Sequence, residues 1–393
     1  MKRAIASLFL ALSIWPCLAQ SATMAELEAR LQTMEEELNF IKENDEQAHE
    51  AIGDIKQNMT VAGYSDASYI IDSRDNTRPT FHLHHLSLFF KQKLNKNWRF
   101  FSEIEFEDAP KFGDIDTITV LDCGPDGICG GGGSADDSAK TINTLNEAEG
   151  KIFTEAFNLD YTWRPYASFR VGRFFTPAGI WSIDHYPPFV STQERPRHIR
   201  KIFPQTTDGA MVYGIIEISN HFVSYDAYIS NGEGNSAHED QNTHKAFGLR
   251  LGIDLPYLDN TNIGTTLYND LLNDGSDKTA FGLHAKLLYN NYEIQTEYAD
   301  ALLNPASGSN YHMQGYYLQG QYHFSHWNLG LRYDYYTQDT SQASDEITNT
   351  LFTSYHITEN LNVKLEHHIV ELEDPAHQDY QKTIISINAN LGN

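Results

Sequence analysis

From about residue 60 to its end, the chain places a large apolar residue at every second position, with Gly or polar residues between. The pattern is clearest in residues 157–163, 247–253 and 327–335. Successive side chains of a β-strand point to opposite faces, so the alternation predicts strands with one apolar and one polar face. A soluble β-sandwich and a transmembrane β-barrel both have such strands.

The connections between these segments separate the two folds. Short polar turn signals occur near residues 95–97, 164–166, 219–221, 259–261, 290–291, 325–326 and 358–360. Longer segments form the alternate connections, at residues 72–79, 108–149, 176–207, 231–244, 270–279, 301–313, 338–347 and 372–379. Alternating short turns and long loops are typical of an outer-membrane barrel. The sequence therefore predicts an all-β fold, a transmembrane antiparallel β-barrel of about 16 strands.

The composition agrees with a barrel. Mean hydropathy is only −0.47, as expected where the apolar residues occupy one face of each strand. The 22 Tyr and 21 Phe residues suit the aromatic girdles of such a barrel. A net charge of −25 argues against nucleic acid as a partner. It does not fix the ion preference of a channel, because external loops can carry much of the charge.

The N-terminus predicts export. Residues 1–3 are positively charged, residues 4–15 are apolar, and residues 17–19 form a small-x-Ala site, which together indicate a signal peptide over residues 1–19. The alternatives are a short membrane anchor and a lipoprotein. The apolar run is shorter than the roughly 18 residues of a spanning helix. Pro16 stands where a lipoprotein needs a small residue.

The next segment, residues 20–59, has a different period. From Leu27 to Met59 the apolar positions alternate steps of four and three, with Asp45 as the one interruption. This heptad pattern predicts an α-helical coiled coil, and a single amphipathic helix at the barrel mouth is the alternative. An even strand count places both barrel termini in the periplasm, so we expect a periplasmic coiled coil over 20–59 and a transmembrane β-barrel over 60–393.

Two cysteines, Cys123 and Cys129, lie in a Gly-rich part of the second long connection. In an oxidising compartment they predict a disulfide. A metal site is the alternative, but two thiols without a nearby His are too few ligands for zinc.

A barrel of this size encloses an aqueous lumen, which predicts passive diffusion of small hydrophilic solutes. The polar faces of the strands then predict the pore-lining residues: Arg99, Glu103, Glu105, Arg250, Lys286, Glu293, Glu297, Arg332, Asp334, Lys364 and Glu366.

Residues 169–181 carry the most distinctive motif, R-V-G-R-F-F-T-P-A-G-I-W within the approach to the third long loop. This motif resembles the phosphate-selective porin O/P family, and a coiled coil before the barrel resembles the related DcaP-like dicarboxylate channels. The resemblance implies a homotrimer of channels in the outer membrane of a Gram-negative bacterium, surrounded by lipid and lipopolysaccharide. It also implies that the third loop folds into the lumen.

A loop folded inward would bring the densest basic cluster of the barrel segment into the constriction. The predicted constriction residues are Arg170, Arg173, Arg195, Arg197, His198, Arg200 and Lys201. Such a ring would favour anions such as phosphate or dicarboxylates. Three alternatives stay open: the cations bind lipopolysaccharide phosphates, they pair with Asp184, Glu194 and Asp208, or the acidic lumen residues give a cation-preferring vestibule.

An enzyme and a structural tether are the two other classes of function. An enzyme is not expected, because the chain has no Gly-x-Ser-x-Gly or His-Glu-x-x-His pattern, and neither catalytic residues nor a cofactor are predicted. Strand alternation places His82 and His84 on one face and His85 on the other, which argues against a metal site. The alternative function is a structural tether, in which the barrel only anchors a periplasmic coiled coil. The chain also ends without the aromatic residue that many barrels use in assembly.

Overall fold

The computed structural model describes residues 59–109, 150–219, 221–233, 240, 242–255, 261–340, 345–373 and 378–392, and the backbone of 115–122 and 138–145. The predicted signal peptide, almost all of the predicted coiled coil, and Cys123 and Cys129 lie outside these residues and stay predictions. Within the part of the chain that the structure describes, no helix is long and apolar enough to cross a membrane.

Sixteen antiparallel strands close into one barrel, as the sequence predicted. The strands are β1 (Met59–Asp72), β2 (Thr80–Lys93), β3 (Trp98–Glu107), β6 (Lys151–Arg164), β7 (Ala167–Phe175), β8 (Thr206–Ile218), β9 (His221–Ser230), β10 (Ala246–Leu255), β11 (Thr261–Leu271), β12 (Asp277–Tyr289), β13 (Tyr292–Asn304), β14 (Tyr311–Phe324), β15 (Trp327–Gln338), β16 (Glu346–Thr358), β17 (Leu361–Leu372) and β18 (Tyr380–Leu391). Pairing of β1 with β18 closes the ring. Between β3 and β6, strands β4 (Ile115–Asp122) and β5 (Ser138–Leu145) form a separate hairpin.

The strands point their apolar side chains outward and their polar side chains inward. Val171 and Leu331 are 55% and 63% exposed, whereas the inward Glu103 and Arg332 are 0% and 3% exposed. This is the reverse of a water-soluble protein, and it gives the outer surface that lipid requires.

Because every neighbouring pair of strands is antiparallel, the long connections gather at one rim, the loop side, and the short turns at the other, the turn side. Aromatic pairs mark the turn side: Trp98 lies 4.9 Å from Tyr161 and Trp327 lies 4.7 Å from Tyr355, measured between ring centroids. These pairs form part of the interfacial girdle that the composition predicted.

The third long connection, residues 176–205, is called L3 here. It contains the short helix α1 (Ile199–Ile202) and joins β7 to β8. Its side chains and backbone contact strands on most sides of the lumen, so it positions the candidate site.

Candidate pore constriction

L3 enters the lumen through a tight turn at Gly179, whose φ of +56° is the left-handed region that glycine adopts without strain. A Cβ at this position would collide with the carboxylate of Glu297. That carboxylate accepts hydrogen bonds from the backbone N–H groups of Ile180 and Trp181, both at 3.0 Å. Arg250 Nε donates to the carbonyl oxygen of Gly179 at 3.0 Å. The first turn of L3 is therefore bound to β10 and β13.

The middle of L3 is held by cations of the opposite wall. Lys364 Nζ donates to the carbonyl oxygen of Pro187 at 2.6 Å. Arg332 donates to Thr192 Oγ1 at 2.5 Å and to the carbonyl oxygen of Glu194 at 3.0 Å. These bonds connect L3 to β15 and β17, so the loop crosses the lumen, as the sequence motif implied.

Six of the predicted pore-lining residues bind L3, and one of them, Glu103, does so through the hydroxyl of Tyr186. Arg250, Glu297, Arg332 and Lys364 contact it as described, and the carboxylate of Glu366 accepts a hydrogen bond from the backbone N–H of Gln193. The sequence could not show this role, because their partners lie 71 to 177 residues away along the chain.

The other predicted pore-lining residues also face inward, mostly in pairs. Asp334 accepts a hydrogen bond from Arg332 at 2.8 Å, and Lys286 lies 3.2 Å from Glu293. Arg99 donates weakly to Thr162 Oγ1, at 3.4 Å.

Glu103 and Glu105 are inward carboxylates of β3. Glu103 contacts L3, whereas Glu105 contacts β1 and β2. Glu103 accepts a hydrogen bond from the hydroxyl of Tyr186 in L3 at 3.2 Å. Glu105 accepts hydrogen bonds from Tyr64 and Ser87 at 2.7 and 2.6 Å.

Helix α1 packs L3 against one side of the lumen. Ile202 is fully buried and Phe203 nearly so, in a cluster with side chains of β7 to β15. The wall here carries small inward residues, including Ala280 and Ala301, which leave room for the loop. Burial of this apolar surface stabilises the inward position of L3.

On the other side of L3, a cavity of about 540 Å³ opens on the loop side. We call it the vestibule. L3 contributes the charged and imidazole residues Arg195, Arg200, Glu194 and His185 to its lining. The barrel wall contributes the further charged and imidazole groups Lys151, Lys382, Glu105, Glu107, Glu155, His82, His84 and His85. A second cavity of about 220 Å³, lined by Trp181, Lys286 and Glu293, lies on the turn side of L3.

The basic residues of L3 lie in different environments. Arg195 and Arg200 line the vestibule, whereas Arg197 lies 3.5 Å from a carboxylate oxygen of Glu346. Lys201 is exposed. His198 is 1% exposed, and its burial lowers its pKa to about 3, so it is neutral at pH 7.

The two arginines of the motif point to opposite faces of β7. Arg170 faces the lumen and pairs with Asp160 at 2.7 Å. Arg173 lies opposite the exposed Phe157 in the strand register and pairs with Asp208 at 2.6 Å, on the outward face. Residues three apart on a strand face opposite sides. The structure therefore does not bring Arg173 to the predicted constriction.

The three histidines of β2 also depart from simple alternation. A β-bulge interrupts the register between β1 and β2, so that Asp66 pairs with His85 while Ala67 pairs with Leu83. The extra residue turns His84 and His85 toward the same face. The prediction that His85 points away from His82 and His84 is therefore wrong, since all three line the vestibule.

Residues 85–373 match the family model of Gram-negative porins. The anion-selective porin from Comamonas acidovorans has a similar fold, with a TM-score of 0.59 at 12% identity over 84% of this chain and 99% of that one. The outer membrane channel DcaP of Acinetobacter baumannii gives a TM-score of 0.56 at 9% identity, over 84% and 96%. Likeness at such identities shows the fold.

Among curated sequences, an uncharacterized protein of Aquifex aeolicus is 28% identical over 180 residues, which is 45% of this chain. The match spans about a third of that protein, 33% of its length.

Proposed function

The chain belongs to the Gram-negative porin family, a family of the outer membrane, and on that premise we propose that it is a passive diffusion channel for small hydrophilic solutes. The observation that carries the proposal is the path of L3. The loop crosses the lumen and leaves charged cavities on its two sides. In a porin the long connections face the cell exterior, so the vestibule would receive solutes from outside.

We further propose that the vestibule favours small anions, with phosphate and dicarboxylates as the chemical class. Arg195 and Arg200 line it from L3, and Lys151 and Lys382 line it from the wall. Charges in a narrow, poorly screened passage dominate its selectivity. Glu105, Glu107 and Glu155 of the wall oppose this preference from the same cavity, and Glu194 of L3 pairs with Lys382 at 2.9 Å. The proposed preference therefore rests mainly on Arg195 and Arg200.

The test is the reversal potential in a salt gradient for the double variant Arg195→Gln/Arg200→Gln. Removing both cations should shift the potential toward cation preference, and the shift should shrink at 1 M salt, where the Debye length is about 3 Å. Arg173→Gln is the matched control, because its guanidinium lies on the outward face. An unchanged potential at low salt, or an equal shift in the control, would reject the anion preference while leaving the porin assignment intact.

We also propose a homotrimer within lipid and lipopolysaccharide. A structure of the Vibrio cholerae outer membrane protein OmpT, described as its trimer form, has a similar fold, with a TM-score of 0.53 at 12% identity over 85% of this chain and 99% of that one. In a planar bilayer, stepwise openings in groups of three would support a trimeric channel. A correctly inserted but silent barrel would instead support the structural tether.

A further inference from the structure

The wall of the vestibule carries a row of imidazoles that the channel function does not use. His82, His84 and His85 follow one another along β2, with ring centroids 4.7 Å apart for the first two and 3.6 Å apart for the last two. The β-bulge opposite Asp66 is what gathers them on one face. Adjacent imidazoles with nearby carboxylates are ligand types that suit Zn²⁺, Cu²⁺ and Ni²⁺.

Asp66 completes the most compact group. Its carboxylate oxygens lie 2.7 Å from His85 Nδ1 and 3.6 Å from His84 Nδ1. The three ligand atoms fall within 4.8 Å of one another. Ligands of a tetrahedral zinc ion are separated by about 3.3 Å, given zinc–ligand distances near 2 Å. The observed spacings lie on either side of that value, so small side-chain rotations would bring the atoms to coordination distance.

Further donors surround this group. His85 Nε2 lies 3.9 Å from a carboxylate oxygen of Glu105, and Glu107 belongs to the same cluster of ligand atoms. On the other flank, His82 and Asp108 form a third group with His84. The vestibule thus offers nitrogen and oxygen ligands together, a mixture that Ca²⁺ and Mg²⁺, which prefer oxygen alone, do not select.

L3 contributes to the same place. Gln193 Nε2 donates to Asp66 at 2.6 Å, and Gln193 Oε1 has no hydrogen-bond partner among the described residues. The amide thereby orients the Asp66 carboxylate and adds an oxygen beside it. Such supporting bonds are typical of metal-binding carboxylates.

We infer that Asp66, His84 and His85 form a binding site for a divalent transition-metal ion of the zinc class, on the wall of the vestibule and in contact with L3. The site faces the aqueous cavity through His84 and His85, so metal from outside the cell can reach it. The inference is independent of which solute the channel passes.

The test measures bound metal in the full-length chain purified without a polyhistidine tag and dialysed against micromolar ZnCl₂. We expect one more zinc ion per chain in the wild type than in His84→Gln/His85→Gln. The matched control is His312→Gln/His367→Gln, which removes two histidines from the outward faces of β14 and β17 and should keep all the bound zinc. Asp66→Asn, which preserves the shape of the side chain, should weaken zinc binding at least about tenfold. Heat-modified gel mobility reports whether each variant is folded.

Equal zinc content in the wild type and the folded His84→Gln/His85→Gln variant would overturn the site. So would displacement of the zinc by an equal concentration of Ca²⁺, because that result would mean carboxylates alone bind the ion. Metal content is measured without a bilayer, so a failed channel assay and a failed metal assay are distinguishable.

Discussion

L3 has different surroundings on the two sides of the lumen. Toward β7 to β15 the loop is packed: Ile202 and Phe203 are buried against small and aromatic side chains. Toward β1 to β6 it faces the vestibule, where Arg195 meets a wall of histidines and carboxylates. Every second residue points inward on both sides, but the inward residues differ in kind. We call the side toward β7 to β15 the dry side and the side toward β1 to β6 the wet side.

The difference arises from the size and charge of the inward residues. Ala280, Ala299 and Ala301 line the dry side and leave space that α1 fills. The side toward β1 to β6 instead carries Lys151, Glu107 and the three histidines of β2, whose polar groups border the vestibule. The loop is thus packed against one wall and borders the vestibule along the other.

The largest effect is expected from Ile202→Ala on the side toward β7 to β15. A fully buried isoleucine reduced to alanine costs about 2–5 kcal/mol, because it loses buried apolar area and leaves a cavity. L3 should detach more often, giving noisier and larger single-channel currents and faster proteolysis within 176–205. Ile183→Ala is the matched control, because this isoleucine of the same loop is 40% exposed. Equal behaviour of the two variants would contradict a dry side.

Acidification tests the same side with a smaller effect. Burial lowers the pKa of His198 to about 3 from an ordinary value of 6.5. A detached loop therefore binds the proton more readily between those values, and the packed state loses stability as the pH falls below 6.5, by about 2 kcal/mol at pH 5. The measurement is the rate of proteolysis within L3 at pH 7 and pH 5. His198→Leu should remove part of the acid effect, and an unchanged acid response would show that this imidazole is not buried.

The smallest effect is expected on the wet side, from Tyr186→Phe. The variant loses one hydrogen bond to Glu103 and keeps the ring contacts with Tyr64 and Phe89. The cost should be about 1 kcal/mol. Single-channel noise should therefore change less than in Ile202→Ala. A larger change would mean that the wet side holds the loop as firmly as the dry side.

Sequence periodicity predicted the barrel well because the two faces of a strand are visible in the alternation of neighbouring residues. For example, the turn signal at residues 95–97 lies between β2 and β3. The long segment at 176–207 coincides with L3, which joins β7 to β8. Arg170 and Arg173 are three residues apart, so strand alternation alone would have placed them on opposite faces. The basic cluster led instead to the prediction that both lie in the constriction.

Less of the candidate site could be predicted from the sequence. The roles of Glu297 and Lys364 depend on partners in L3 more than a hundred residues away. The gathering of His84 and His85 depends on a bulge that simple alternation does not predict. Both are properties of tertiary register, which a single sequence does not display.

Whether L3 limits the pore is tested by replacing residues 180–201 with a short Gly-Ser linker and measuring single-channel conductance. The barrel strands keep all their hydrogen bonds, so the variant should fold and insert. If L3 is the constriction, conductance should rise severalfold and the passage of larger sugars into liposomes should follow. Wild-type conductance from a correctly folded variant would mean that this loop, although held in the lumen by the barrel wall, does not limit the pore.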